Sequence, residues 1–297
     1  MLGFTCAALP VQAQEIMLSG ALEGAPAASK SSKTDERIVM PTGHLEVSGE
    51  MALLVSRRSP YAEGLSFTDL ALLRLNLRRS FADWIEVYGG VRLLPKQPTS
   101  TRSPLFQGVQ AGVQAEFAKG FAAAAGGALG PMFGADGVYY RAGPGLSWKQ
   151  EVGRYLRFVV GAGNAWTFVD YEPRTRPSFW LGEIVTHAET QAGEEEASMW
   201  VGFDYAVPFA KSPDSAARDP VRGYLDPQVR LNVEIGGAMS LHSKGWAVYA
   251  TYTIIDRGEL DKPETTLPIL DGGFDQHQVA IGVEYRFDPA PDDESYD

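Results

Sequence analysis

Ionisable side chains occupy every second position in several stretches of this chain, with apolar residues between them. Glu46, Ser48 and Glu50 alternate with Leu45, Val47, Met51 and Leu53. Arg74, Asn76 and Arg78 alternate with Leu73, Leu75 and Leu77, and Arg230, Asn232 and Glu234 with Val229, Leu231, Val233 and Ile235. Collected over the chain, the polar positions carry Glu46, Glu50, Arg74, Glu86, Arg92, Glu116, Arg141, Arg157, Asp204, Arg230, Glu234, Glu284 and Arg286. Acids and bases are both well represented. A surface of this kind does one of two things. Enclosed, its charges pair and stiffen an interior, because a buried charge requires a partner. Around a water-filled passage, they form rings that set which solutes pass.

Hydrolytic and metal chemistry find little footing. The one close serine–histidine pair is Ser240-Leu241-His242-Ser243, with no carboxylate orienter or oxyanion donor nearby in sequence, so no catalytic residue is assigned and a lipid hydrolase is the weakest reading. His44, His187 and His277 stand singly, as ordinary polar residues rather than metal ligands. Asp256-Arg257-Gly258-Glu259 places a cation between its carboxylates and reads as a turn, not a calcium loop. Neither a metal nor a cofactor is expected. A formal charge of -11 argues against nucleic acid as a partner.

The elements that must position the charges are strands, because apolar and polar residues alternate at a period of two. About twelve such segments follow one another. Among them, Ile85, Val87, Val91 and Leu93 oppose Glu86, Tyr88 and Arg92, and Val109, Ala111, Val113 and Phe117 oppose Gln110, Gly112, Gln114 and Glu116. Phe121, Ala123 and Ala125 open a segment whose other face is only Ala and Gly. Gly112, Ala122, Ala124 and Gly126 thus form a patch of small polar-side residues, spacious enough for a permeant or a packed segment. Pro144 demands an irregularity in the sixth segment. The eighth, near Trp180 to His187, is ambiguous in phase. No run approaches the roughly 18 apolar residues of a membrane helix. The connections alternate in length: Ser80–Asp83, Lys119–Gly120, Gln150–Gly153 and His242–Gly245 are short, whereas Lys96–Pro104, Pro208–Asp226 and Asp256–Asp275 are long. Transmembrane barrels sort short periplasmic turns from long outer loops in this way. The expected fold is all-β: an antiparallel up-and-down transmembrane β-barrel of about twelve strands over residues 42–287. Twelve lies between the filled eight-stranded and the open sixteen-stranded barrels, so pore width depends on whether a loop or the N-terminal segment folds inward.

The last strand carries an address. Val279, Ile281, Val283, Tyr285 and Phe287 share its apolar face and Gln278, Ala280, Gly282, Glu284 and Arg286 the polar one. Gly282-Val283-Glu284-Tyr285-Arg286-Phe287 resembles the C-terminal assembly signal of bacterial outer-membrane β-barrel proteins, with Gly282, Tyr285 and Phe287 at its fixed offsets; Ala280 departs from the polar residue often found there. The resemblance implies insertion by the barrel-assembly machinery and residence in the bacterial outer membrane. Leu2–Leu9 followed by Val11-Gln12-Ala13 is similar to the end of a secretory signal peptide, expected over 1–13 with its start upstream. Cys6, the single cysteine, falls within it. Residues 14–41 are expected as a flexible periplasmic linker and 288–297 as an acidic tail. The expected partners are membrane lipid, the assembly machinery and, for one of two functions, other envelope proteins. Those functions are a narrow porin-like channel for small polar solutes, lined by the charges above, and a non-conducting barrel that anchors an envelope complex.

Overall fold

A computed structural model describes residues 38–56, 71–93, 106–131, 137–171, 179–193, 197–211, 229–241, 245–256 and 276–287. The segments expected as signal peptide and acidic tail, and residues 14–37 of the expected linker, lie outside them. Twelve strands form one closed antiparallel barrel: β1 (Leu45–Ser56), β2 (Ala71–Ala82), β3 (Ile85–Leu93), β4 (Phe106–Ala118), β5 (Phe121–Pro131), β6 (Gly137–Val152), β7 (Leu156–Tyr171), β8 (Phe179–Gly193), β9 (Ala197–Lys211), β10 (Arg230–Ser240), β11 (Trp246–Asp256) and β12 (Gln276–Phe287). Each strand pairs with its chain neighbours. β12 closes on β1 along a ladder from Leu45↔Phe287 to Ser56↔Gln276. Closure leaves no edge, the condition for strands to cross lipid.

Alternation decides which side faces what. Leu75, Leu77, Val201, Phe203, Ile235, Val279 and Ile281 are exposed on the outside. Glu50, Arg74, Arg78, Glu86, Gln114 and Gln278 are buried inside. This inverts the water-soluble pattern and fits a solvent of hydrocarbon. Aromatic rings band the outer surface at both heights. Phe117, Phe121 and Trp148 adjoin at one end, with centroids 6.3 and 6.2 Å apart. Trp166, Trp180 and Phe209 adjoin at the other, at 5.9 and 5.3 Å. Such rings settle at the lipid–water boundary.

The even connections, 83–84, 119–120, 153–155, 194–196 and 241–245, are never longer than the odd ones. Gly120 turns one of the two two-residue connections at φ 73°, the left-handed geometry favoured in such a hairpin. Pro144 produces a gap rather than a bulge: β6 and β7 lose their pairing between Ala142 and Gly145, and the register resumes unchanged. The strands are uneven in length, from 9 residues in β3 to 16 in β6 and β7. About 9–11 residues suffice to cross a bilayer, so the β6–β7 side stands beyond the hydrocarbon.

Candidate functional site

The candidate site is the lumen. One wall, from β12 through β1 to β3, is a closed ion-pair network. Arg74 donates to Glu50, and at 3.0 Å to Gln278 Oε1. Arg78 lies between two acids, 2.7 Å from Glu86 and 3.5 Å from Glu46. Arg92, Glu284 and Arg286 are buried on the same wall. On the far side Arg141 reaches Glu183 at 2.7 Å and Thr167 at 3.1 Å, and Arg157 reaches Glu151 at 3.0 Å. Enclosed groups of both signs pair here, as burial requires.

Inward aromatics lie flat on glycines of the next strand. Tyr88 covers Gly112, Trp200 covers Gly236 and Tyr249 covers Gly282, and each pair is directly opposed in the ladder. A methyl group at any of the three glycines would overlap the ring. Gly282 therefore has a packing reason to be glycine in addition to its place in the terminal signal. Tyr285 and Phe287 of that signal lie outside, edge to face at 4.4 Å, with Trp246 4.7 Å from Tyr285. Gly282→Ala is expected to cost about 1–3 kcal/mol by overpacking. Unfolding titrations of Gly282→Ala with and without Tyr249→Leu check this. A packing origin gives rescue by the smaller partner; equal losses in both would assign the glycine to recognition alone.

The chain before β1 enters the barrel. Ile38, Val39 and Met40, the end of the segment expected as a free linker, are 2–3% exposed. Their main-chain N–H groups donate to lumen carboxylates: Ile38 at 2.9 Å and Val39 at 3.3 Å to Glu116 Oε2, and Met40 at 3.1 Å to Glu86 Oε2. The other oxygen of Glu116 accepts Gly120 N–H at 3.0 Å, and Ser80 Oγ donates to the Pro41 carbonyl. Residues 38–41 therefore lie against the inner faces of β2, β3 and β4 at the end bearing the short turns. The small-residue patch divides accordingly. Gly112 lies under Tyr88, and Ala122, opposite Glu116, is fully buried.

Of the acids and bases expected to line the lumen, all those with a described side chain lie on the inner face. The side chain of Arg230, at the first position of β10, is outside the described residues, as are His242 and Ser243. The chief omission is β8. Its inner face presents Glu183, Val185, His187, Glu189 and Gln191, all buried. His187 Nδ1–H donates to Asp204 Oδ1 at 2.7 Å, since a carboxylate can only accept. Glu234 accepts from Trp200 Nε1 at 2.8 Å and Thr253 Oγ1 at 3.2 Å. A register shift at Gly182/Glu183 hid this phase. The signal that was present is the run of Glu183, His187, Glu189 and Gln191 at alternate positions.

A closed antiparallel barrel with an apolar outer face, two aromatic bands and an ionic interior is a bacterial outer-membrane β-barrel, and the chain belongs to that class. No family model matches the chain, and no curated protein matches it in sequence. Among solved structures, the COG4313 outer membrane channel from Pseudomonas putida F1 is similar over 87% of this chain and 100% of that one, with a TM-score of 0.55 and 9% identity. NanC porin is similar over 81% and 98%, at 0.48 and 10%. KdgM porin in complex with disordered oligogalacturonate is similar over 82% and 99%, at 0.47 and 11%. At such identities the shared property is the barrel fold.

Proposed function

We propose that the barrel is a narrow channel for small polar solutes whose periplasmic mouth is occupied by residues 38–41. The observation that carries this reading is a strip of inward glycines. Gly112, Gly126 and Gly143 form one row across β4, β5 and β6, and Gly145 faces Gly163 in the next. These positions are half-buried, whereas the β12–β3 wall is sealed. Tyr88 covers Gly112 and the β7 main chain at Asn164 abuts Gly143, so the space this strip leaves to a solute lies along Gly126, Gly145 and Gly163, which carry no side chain. The acids and bases beside this strip favour hydrated, polar cargo over apolar cargo.

The seated N-terminal segment also favours a second reading, a permanently closed barrel that anchors an envelope complex. Planar-bilayer recordings separate the two. A channel gives discrete conductance steps from the full chain, larger after removal of residues 1–41. Silence from both proteins, each folded by heat-modified mobility in detergent, overturns the channel and leaves the anchor.

A further inference from the structure

We infer that the lumen wall built by β8, β9 and β10 binds a small organic cation through an alkylammonium or guanidinium group. The inference rests on the channel reading for the route of access and on the wall itself for the chemistry.

Below Glu183, which Arg141 holds, three further carboxylates descend this wall. Asp204 is uppermost, its side chain one-third exposed, and is held by His187. One step further in, Glu189, Gly202 and Glu234 form a single row across three strands. Gly202 contributes no side chain, so the two glutamates flank a notch spanning two strand spacings, about 9–10 Å between backbones. The next row holds Trp200, whose indole closes the inner end of the notch and donates to Glu234.

Glu189 is the group that calls for a ligand. It is 3% exposed, and neither of its carboxylate oxygens receives a hydrogen bond. His187 Nε2 stands 3.9 Å from Oε2, too far for a hydrogen bond, and itself has no hydrogen-bond partner. Elsewhere in the lumen an arginine fills this role, as Arg74 does for Glu50, Arg78 for Glu86 and Arg141 for Glu183. Among the described side chains of this wall no arginine or lysine is placed among the acids. An unmet buried carboxylate is costly, and a permeant cation that donates N–H groups would meet it.

The geometry selects the kind of cation. A bare metal ion needs its oxygen ligands converged within about 2.0–2.6 Å of one point. Among the described residues, no three His, Cys, Asp or Glu side chains are grouped to hold one. A polyatomic cation spans wider donors and tolerates an aromatic wall, where the Trp200 ring adds cation–π attraction. The glycine strip leads to the site, because Gly161 of β7 is the register partner of His187.

The test is calorimetric titration of the full chain, folded in detergent, with putrescine dihydrochloride. Wild type is expected to bind. Glu189→Gln, which keeps shape and removes charge, and Asp204→Asn, which keeps an acceptor for His187, are each expected to weaken binding about tenfold or more. Glu151→Gln, at the ion pair with Arg157, should leave it unchanged. Absence of wild-type binding overturns the site. So does an equal loss in Glu151→Gln, or calcium chloride binding in putrescine's place. Conductance without putrescine binding overturns this site and leaves the channel. Binding without conductance overturns the channel and leaves the site.

Discussion

Arg78→Ala is expected to cost the barrel about 3–5 kcal/mol of unfolding free energy, the largest loss expected of any single lumen substitution. Its guanidinium sits between Glu46 and Glu86, and all three side chains are at most 3% exposed. Truncation leaves both acids enclosed without the cation that made their burial tolerable. The penalty therefore comes mostly from the stranded carboxylates and only partly from the lost attraction. That distinction gives a second expected result. Replacing the whole group by Glu46→Leu, Arg78→Met and Glu86→Leu should recover most of the lost stability, since apolar groups of similar volume carry no desolvation cost. Denaturant titrations of the three proteins in lipid check both statements. A single substitution that costs less than about 1 kcal/mol would mean that water reaches this wall.

The second large effect is on conductance. Removing residues 1–41 takes Ile38, Val39 and Met40 out of the lumen and withdraws their N–H donors from Glu116 and from Glu86, which keeps its ion pair with Arg78. Conductance should rise by roughly half an order of magnitude or more, and preference should move toward cations, because a narrow section has lost its filling and the Glu116 carboxylate faces the passage. Glu116→Gln should raise conductance more weakly, since a neutral amide oxygen still accepts a main-chain hydrogen bond but without charge, and should not shift preference toward cations, because it removes a lumen anion. Reversal potentials under a salt gradient, recorded for the three proteins, check the order. Identical conductance with and without the segment would show that residues 38–41 do not obstruct the path.

Much of the architecture was legible in the chain. Alternation such as Arg74-Leu75-Asn76-Leu77-Arg78 fixes a strand and its faces at once, because a one-residue slip would turn every charge toward lipid. Strand number and loop sorting follow from counting such segments. β8 resisted for two physical reasons. Its outer face, Ile184, Thr186, Ala188 and Thr190, is too weakly apolar to mark the lipid side. The bulge at Gly182/Glu183 also buries Leu181, Gly182 and Glu183 in succession, which breaks the period where the phase would be read. The acidic wall was obscured with it, since His187 and Glu189 belong to this strand. The glycine–aromatic contacts were hidden for another reason: Tyr249 and Gly282 are neighbours only through the β11–β12 register, which no local pattern prints.

The N-terminal segment shows the limit of composition. Ile38-Val39-Met40 is apolar in the manner of any strand approach, and Glu86 and Glu116 look like two more lumen acids. What joins them is a set of main-chain N–H groups, to which an alternation pattern is blind. The same fact governs how this part of the chain can change over generations. A latch that grips the peptide backbone is indifferent to most side chains it holds. Residues 38, 39 and 40 can drift among apolar types of similar bulk without releasing either carboxylate. Proline alone, lacking the hydrogen, undoes a contact at a stroke. Selection on the closure would then leave its trace in the two glutamates and in an avoidance of proline, rather than in any motif written along the segment itself.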